Sequence, residues 1–300
     1  MAGKNSLVFT LDLEDHRPDP SFPKNYPSIT RELLTFLESR RIRATVFVLG
    51  RLAREEPSLI QEISERGHEV AYHSAQHLHL TKDTRENFLS ESTDDIAFIS
   101  DIIDKPLYGY RAPAFSLTPD SLWAVDAIKS LGFEYSSSVM PARNPINGFP
   151  CAPQNPFYWQ NGLLEIPAPV AKVGPLSLPF LGGIYLRYLP AIIIKRLLAN
   201  NEPDNELGNE LGSGQDSAPN SVTDLAPWIY CHPHDFDAKE PFFQIEGTSL
   251  IVSLVLWFNR KGTFKKLAKI LPNTVDGEIA QTFKEKIDEG AYQHAPTFNR

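Results

Sequence analysis

Three carboxylates lie within four residues near the start of the chain, at Asp12, Glu14 and Asp15. They follow an apolar run from Leu7 to Leu11 that predicts a buried β-strand. Carboxylates bunched at the end of a buried strand are costly unless a metal ion, a cationic side chain or hydrogen bonds hold them. The stretch therefore predicts either a cation-binding site or an acidic loop over the strand end.

Two histidines, His73 and His77, follow a second predicted strand at a spacing of four residues. If this segment turns helically, both rings point the same way and can share one ion. Two histidines with one carboxylate form a divalent-metal site that leaves a position open for water. The pair alone is a weak pattern, and we interpret the nearby His68 and His79 as solvated bystanders.

Two further polar residues lie at predicted strand ends. Arg111 could pair with Asp12 and orient its carboxylate, although a single arginine is more often a surface residue. His232 closes an apolar strand and is followed by Pro233. Taken alone, it is better explained as a core histidine bonded to the backbone than as a catalytic group.

The elements that must position these residues alternate along the chain. Apolar runs and stop signals predict strands near residues 7–11, 44–49, 68–73, 107–111, 133–139, 163–166 and 228–232. Helices are predicted near residues 28–37, 53–66, 84–104, 118–131, 191–198, 263–271 and 278–287. This order predicts an α/β fold with a parallel sheet, open or closed into a barrel, whose sites lie at the C-terminal ends of the strands.

Composition narrows the class of protein. The 300 residues carry a net charge of −8, which argues against non-specific nucleic-acid binding. Two cysteines give no disulfide framework, and the first residues lack a secretory signal pattern, so we expect a cytoplasmic location. Residues 245–258 are apolar but too short to span a bilayer, so we expect no transmembrane segment. We predict one catalytic domain over residues 1–300, with a disordered loop at 201–225 and a C-terminal helical extension at 240–300.

Together, these residues resemble the polysaccharide deacetylases of carbohydrate esterase family four, the NodB-homology family. The motifs that carry the resemblance occur in order at residues 10–15, 44–50, 73–77, 111–115 and 229–232. Residues 182–190 resemble the branch found in bacterial exopolysaccharide gene clusters. There are two departures: Ser136 stands where the family usually has an aspartate, and the first motif lacks the usual adjacent pair of aspartates.

The resemblance implies a distorted (β/α) barrel with seven parallel strands, and hydrolytic removal of N-acetyl groups from an N-acetylated polysaccharide or oligosaccharide. It implies a divalent ion, expected to be zinc, on His73, His77 and either Glu14 or Asp15. We favour Glu14 because Asp12 and Glu14 share a face on a continuing strand, whereas Asp15 does not.

The remaining roles follow from the same resemblance. Asp12 acts as general base and is oriented by Arg111, while His232 protonates the departing amine. Backbone N–H groups near Ala114 and Phe115 stabilise the oxyanion. Two alternatives stay open: a related metal amidohydrolase acting on a small ureide or amide, and a carbohydrate-binding protein that has lost turnover. The sequence does not identify the polymer, the metal, the pathway or the oligomeric state.

Overall fold

One curled sheet of eight strands carries the predicted site residues. A computed structural model of the chain describes residues 7–143, 147–173, 176–200, 228–245 and 249–271. Within them the sheet has the order β10-β1-β2-β3-β4-β5-β7-β6, and β8 and β9 form a separate hairpin. The strands are β1 Val8–Leu13, β2 Ala44–Val48, β3 Glu69–Tyr72, β4 Gly109–Tyr110, β5 Tyr135–Ser136, β6 Phe157–Tyr158, β7 Leu164–Glu165, β8 Val170–Val173, β9 Leu176–Pro179 and β10 Trp228–Cys231.

Seven neighbouring strands of this sheet, from β10 to β7, run parallel, and β6 adds an antiparallel edge. The sheet forms a half-barrel, which confirms the predicted distorted barrel. The last strand pairs with the first, in a register that places Val8 opposite Trp228. Beyond β10, a bridge from Gly182 to Tyr230 extends the curl, and the Trp228 indole N–H donates to the Pro167 carbonyl at 3.2 Å.

Helices cover the outer face of the curl. They are α1 Tyr26–Glu38, α2 Gly50–Glu55, α3 Pro57–Glu65, α4 Arg85–Ile103, α5 Trp123–Ser130, α6 Gly183–Tyr188, α7 Ala191–Asn200, α8 Leu250–Trp257 and α9 Thr263–Ile270. The single helix predicted over 53–66 is wrong, because Pro57 disfavours a helical backbone at Glu56 and so separates α2 from α3. The sequence patterns also missed β6, the β8–β9 hairpin and α6, and they gave no separate bounds for α8, which lies within the predicted extension.

Two apolar clusters lie on opposite faces of the sheet. One contains Phe9, Leu11 and Leu13 of β1 together with residues of the helices, so it fills the outer layer. The other contains Phe47, Trp228 and neighbours that lie outside the helices, so it lines the inside of the curl. Because side chains alternate along a strand, residues of even number in β1 point to the inside.

Some predictions fall on residues beyond those described. They are the disordered loop at 201–225 and the helix at 278–287, together with most of the extension beyond residue 271. The described part of the predicted extension contains α8 and α9. No helix among the described residues is long and apolar enough to cross a membrane. The division of the chain into domains stays a prediction.

Candidate active site

The C-terminal ends of four strands bring the predicted polar residues to one place inside the curl. Asp12 lies in β1 and Glu14 just beyond it, while His73, Arg111 and His232 directly follow β3, β4 and β10. Strand alternation directs all five toward the inner face, where apolar packing ends. The parallel pairing of β1 with both β2 and β10 then places their carboxyl ends at one edge.

One group of three side chains has the composition of a divalent-metal site. Glu14 Oε1 lies 3.0 Å from His73 Nε2 and 2.8 Å from His77 Nε2. The three ligand atoms all lie within 4.8 Å of one another. Two imidazole nitrogens and one carboxylate oxygen are the donor set of catalytic zinc sites, so the residues present fit such an ion.

The tautomer of His73 supports this fit. Its Nδ1 lies 2.8 Å from the Arg111 carbonyl oxygen, which can only accept a hydrogen bond. Nδ1 therefore carries a proton, and in the neutral ring Nε2 presents a lone pair to the Glu14 carboxylate. Two facing lone pairs repel unless a cation or a further proton lies between them. A histidine fixed through its other nitrogen to a carbonyl is the usual arrangement around a metal.

The segment from His73 to His77 converges by left-handed turns rather than by a helix, so the helical route we predicted is wrong. Ser74 and His77 have φ values of +78° and +61°, which non-glycine residues seldom adopt. The Ser74 hydroxyl accepts the His77 N–H at 3.1 Å, and the Ser74 carbonyl accepts the Gly50 N–H at 2.9 Å. These bonds hold a strained backbone at a place where strain is typical of functional sites.

The surrounding histidines keep Glu14 ionised. Burial alone would raise the pKa of this carboxyl, but His77, His232, His16 and His73 more than offset it and hold the pKa well below its ordinary value. Glu14 in turn favours the charged form of His77. Burial lowers the pKa of this imidazole, but the Glu14 carboxylate outweighs burial and raises the pKa above its ordinary value.

Asp15 is not brought into this group. Its carboxylate binds the Arg17 guanidinium, with Oδ2 at 2.8 Å from Nε and 2.7 Å from NH2. Alternation along the chain explains the difference, since Asp15 faces away from Asp12 and Glu14. Of the two carboxylates that the sequence left open as ligands, the structure places Glu14 beside the histidines.

Asp12 and Arg111 form a buried ion pair. Arg111 NH1 donates to Asp12 Oδ1 at 2.6 Å and to Thr10 Oγ1 at 2.9 Å. The guanidinium carbon lies 3.9 Å from the centre of the Phe47 ring and 4.4 Å from that of Trp228. Arg111 is therefore clamped between two aromatic rings and fixes one oxygen of Asp12.

The other oxygen of Asp12 faces His232. His232 Nε2 lies 3.9 Å from Asp12 Oδ2 and 4.0 Å from Glu14 Oε1. On the opposite side of the ring, Nδ1 lies 3.0 Å from Asp235 Oδ2, which also accepts the His232 backbone N–H at 2.9 Å. Arg187 Nε lies 2.9 Å from the second oxygen of Asp235. The imidazole is thus oriented by a buried carboxylate that an arginine holds in turn.

These charges determine the protonation of His232. Burial lowers the pKa of the imidazole, but the carboxylates of Glu14, Asp235 and Asp12 outweigh burial and raise the pKa to about 9. Burial also raises the pKa of Asp235, yet the hydrogen bond with His232 and the ion pair with Arg187 contribute to holding it well below its ordinary value. At neutral pH the pair is an imidazolium beside a carboxylate.

The predicted oxyanion donors lie in a short 3-10 turn, Pro113–Phe115, in which Ala114 and Phe115 both have positive φ. The Phe115 N–H donates to the Ala112 carbonyl at 3.1 Å, and the Ala114 carbonyl accepts from Asn147 Nδ2 at 3.0 Å. This conformation uses the Phe115 N–H within the turn, so it does not leave that donor free for a ligand.

Sequence reasoning missed three residues of the site: Asp235, Arg187 and His16. Asp235 follows His232 at a spacing of three residues, a local signal that could have suggested a contact. Arg187 gives no such signal because its partner lies 48 positions away. His16 Nε2 contacts Glu14 Oε2. Ser136, at the place of the family's aspartate, is buried and donates to Ser138 Oγ at 2.8 Å.

Comparison with known proteins finds a family similarity in the first part of the chain. A family model described as polysaccharide deacetylase matches residues 4–136. We call these residues, which are similar to that family, the deacetylase region. A second model, described as a domain of unknown function (DUF3473), matches residues 137–207. The deacetylase region thus contributes Asp12, Glu14, His73, His77 and Arg111, whereas Arg187 lies in the region of the second model.

Two curated relatives carry deacetylase names. A peptidoglycan-N-acetylglucosamine deacetylase of Bacillus cereus is 26% identical over 109 residues, which are 36% of this chain and 47% of the relative. A chitooligosaccharide deacetylase of Sinorhizobium fredii is 42% identical over 75 residues, which are 25% of this chain and 30% of the relative. The matches therefore span less than half the length of either relative.

A solved structure shares the fold over the whole chain. It is the crystal structure of a candidate polysaccharide deacetylase from Mycobacterium smegmatis, with a TM-score of 0.55 and 16% sequence identity. The similarity covers 100% of this chain and 97% of the other. It shows that this chain shares the fold of that protein.

Proposed function

We propose that this chain is a divalent-metal-dependent hydrolase that removes N-acetyl groups from the amino sugars of a polysaccharide. The observation that carries the proposal is the arrangement around Glu14. A metal-type donor group lies between an arginine-bound carboxylate, Asp12, and an imidazolium, His232. Amide hydrolysis needs these three elements: an electrophile at the carbonyl, a base for water and an acid for the amine.

Glu14, His73 and His77 would hold the ion. When bound, a divalent cation supplies Lewis-acid chemistry at an acetyl carbonyl and makes a nearby water more acidic. Zinc is the ion that this donor set favours. The bent loop at His77 and the hydrogen bond from His73 to the Arg111 carbonyl orient the two imidazoles before any ion arrives.

Asp12 is the group that accepts the proton of the attacking water. Arg111 occupies Oδ1, which leaves Oδ2 directed toward the space in front of His232. The buried ion pair fixes the carboxylate in one orientation, so little reorganisation is needed when the proton is transferred.

His232 donates a proton to the departing nitrogen. An amide nitrogen cannot leave as an anion, because that anion is far too basic. The buried Asp235 carboxylate at Nδ1 favours the imidazolium form and contributes to raising the pKa of His232. Its Nε2 faces the reacting centre, while its Nδ1 is occupied by Asp235.

An acetamido sugar within a longer chain suits the surroundings of the site. The side chains of His16 and His77 are 34% and 30% exposed, so the site opens toward solvent. The names of the two curated relatives, which act on peptidoglycan and chitooligosaccharides, support the same substrate class for this chain.

The test is acetate release from N-acetylglucosamine oligomers by the purified chain, before and after chelation and after return of zinc. We expect release that chelation abolishes and zinc restores. Hydrolysis of allantoin without action on any N-acetylated saccharide would instead show an amidohydrolase of small ureides. Saccharide binding without acetate release from a metal-loaded chain would show a binding protein, and either result would overturn the proposal.

A further inference from the structure

The outer face of α8 is apolar, which is the reverse of an ordinary surface helix. Ile251 is 73% exposed, Leu250 52%, Leu254 42% and Val255 41%, and Phe258 just beyond the helix is 61% exposed. These positions recur at spacings of three and four residues, so they form one stripe along the helix. We call these five residues the apolar ridge.

The ridge is fixed to the body of the protein by its opposite side. The Trp257 indole donates to the Glu240 carbonyl at 2.9 Å, and Ser253 is buried. Tyr188, itself 41% exposed, donates through its hydroxyl to the Val255 carbonyl at 2.9 Å. The ridge therefore lies on a helix that defined contacts hold against the rest of the protein.

The segments around the ridge are basic, although the chain as a whole has a net charge of −8. Residues 249–271 contain five basic side chains and no aspartate or glutamate, and Arg260 among them is buried against Glu240. Residues 183–200 contain three basic side chains and no acidic ones, and Arg187 among them is buried against Asp235. Lys261, Lys265 and Lys269 are exposed on the segment that follows Phe258.

From this combination we infer that the apolar ridge and its lysines bind the surface of a bilayer that contains anionic phospholipids. Exposed apolar side chains followed closely in the chain by exposed lysines match the composition of segments that bind a membrane interface, with apolar side chains among the acyl chains and ammonium groups at the phosphates. A second copy of the chain fits less well, because face-to-face docking would bring like charges together.

The ridge is connected to the site through Arg187. Arg187 NH1 donates to the Phe258 carbonyl at 2.7 Å, while its Nε faces Asp235, the partner of His232. One chain of polar contacts therefore joins the ridge to the partner of His232.

Co-sedimentation with vesicles tests the inference on the full chain. We expect binding to vesicles of phosphatidylcholine with 30% phosphatidylglycerol, weaker binding to phosphatidylcholine alone, and a loss of binding as salt screens the lysines. Equal binding to both vesicles, or none to either, would overturn the inference.

Two variants separate the apolar and electrostatic parts. Ile251→Asp should reduce binding at least tenfold, whereas Tyr108→Asp, at a residue 39% exposed before β4, should leave it unchanged. Lys261→Glu with Lys265→Glu should reduce binding to the anionic vesicles by about tenfold or more. The control with the same change of charge is Lys105→Glu with Lys129→Glu.

Light scattering after size exclusion shows whether the chain is a monomer or a dimer in the absence of lipid. A monomer that binds vesicles supports the inference. A stable dimer in the absence of lipid that Ile251→Asp dissociates would show that the ridge is instead an interface between two copies, and the inference would fall.

Discussion

Glu14 is the residue on which the proposed metal site depends, because its Oε1 is shared by both histidines. Glu14→Gln removes the negative charge, and His73→Ala or His77→Ala removes one nitrogen ligand. We expect each variant to lose bound zinc by elemental analysis of the purified protein. Asp15→Asn is the matched control, since Asp15 binds Arg17, and should keep its zinc. Full occupancy in Glu14→Gln would remove Glu14 from the ligand set.

Asp12 should affect turnover without affecting metal content. Asp12→Asn keeps the shape of the side chain but removes the base and weakens the pairing with Arg111. We expect normal zinc content and a rate on N-acetylglucosamine oligomers lowered by roughly 10²–10⁴-fold, the range for one proton-transfer group. An empty metal site in this variant would mean that the assigned roles of Asp12 and Glu14 must be exchanged.

Loss of the His232 side chain should slow hydrolysis of an amide more than hydrolysis of an activated ester. His232→Ala removes the proton donor, and we expect a loss of roughly 10²–10⁴-fold on the acetamido sugar. An aryl acetate needs little protonation of its leaving group, so the loss on that ester should be much smaller. His79→Ala, at a half-buried histidine near the site, is the control. Equal losses on amide and ester would exclude His232 from the acid role.

At this scale, sequence reasoning identified residue types at strand ends but not every contact between them. Alternation along β1 was enough to favour Glu14 over Asp15. The bond between Asp235 and His232 involves a local turn after β10, and sequence alone did not single it out. The contact of Arg187 with Asp235 joins distant parts of the chain, so only the packed structure reveals it.

Among the elements, the segment after β10 positions His232. Asp235→Asn keeps a side chain of the same size but weakens the orientation of the ring. We expect unchanged zinc content, a lower kcat with little change in KM, and a greater loss on the acetamido sugar than on the aryl acetate. Asp237→Asn is a nearby control at a buried aspartate that binds Asn25. A loss of the same size on both substrates would indicate that Asp235 serves structure alone.

The close approach of Gly182 to β10 is a second feature at the element scale. A Cβ at Gly182 would lie 2.0 Å from the Tyr230 ring, so Gly182→Ala must displace either that ring or the strand that carries His232. We expect a lower thermal midpoint and lower activity. Gly262→Ala, where a Cβ meets no heavy atom within 4 Å, should change neither. An unchanged midpoint in Gly182→Ala would show that the ring moves aside freely.

The strongest sequence signals at this scale were the long apolar strands β1, β2 and β10. The short strand β6 and the break before Pro57 were not predicted, because a two-residue strand carries little periodic signal, whereas β7 was predicted from the apolar residues 163–166. The helical turn that we considered for residues 73–77 does not form, for another reason. Its backbone follows left-handed turns that ordinary propensities disfavour and that tertiary bonds stabilise.

For the whole molecule, His68 makes stability depend on pH. We expected a solvated histidine, but His68 is 4% exposed, and its Nδ1 accepts the Ala44 N–H at 3.0 Å. Burial, together with nearby Arg66 and Arg43, lowers its pKa to about 4. Below pH 6.5 the His68 imidazole is therefore protonated in the unfolded chain but stays neutral in the folded chain. As a result, the free energy of unfolding falls as the pH is lowered to about 4.

The size of this effect is about 3 kcal/mol, from 1.36 kcal/mol for each pKa unit. Urea unfolding of His68→Asn, measured between pH 7 and 4, should show a smaller loss of stability than the unchanged chain. His79→Asn, at a half-buried histidine, should follow the unchanged chain more closely. Parallel curves for His68→Asn and the unchanged chain would show that other groups control acid unfolding.

The pairing of β1 with β10 also bears on synthesis of the chain. Val8 lies opposite Trp228, so one edge of β1 has no β10 partner until translation has passed residue 231. At about 5–20 residues per second this interval lasts on the order of ten to fifty seconds. An apolar strand with an open edge is a template for aggregation, so the nascent chain is a natural client for chaperones during that time. The strand that is synthesised early, β1, is thus covered late. If a ribosome stalls before β10, the chain that it releases has an uncovered β1 edge and lacks His232, the proposed proton donor.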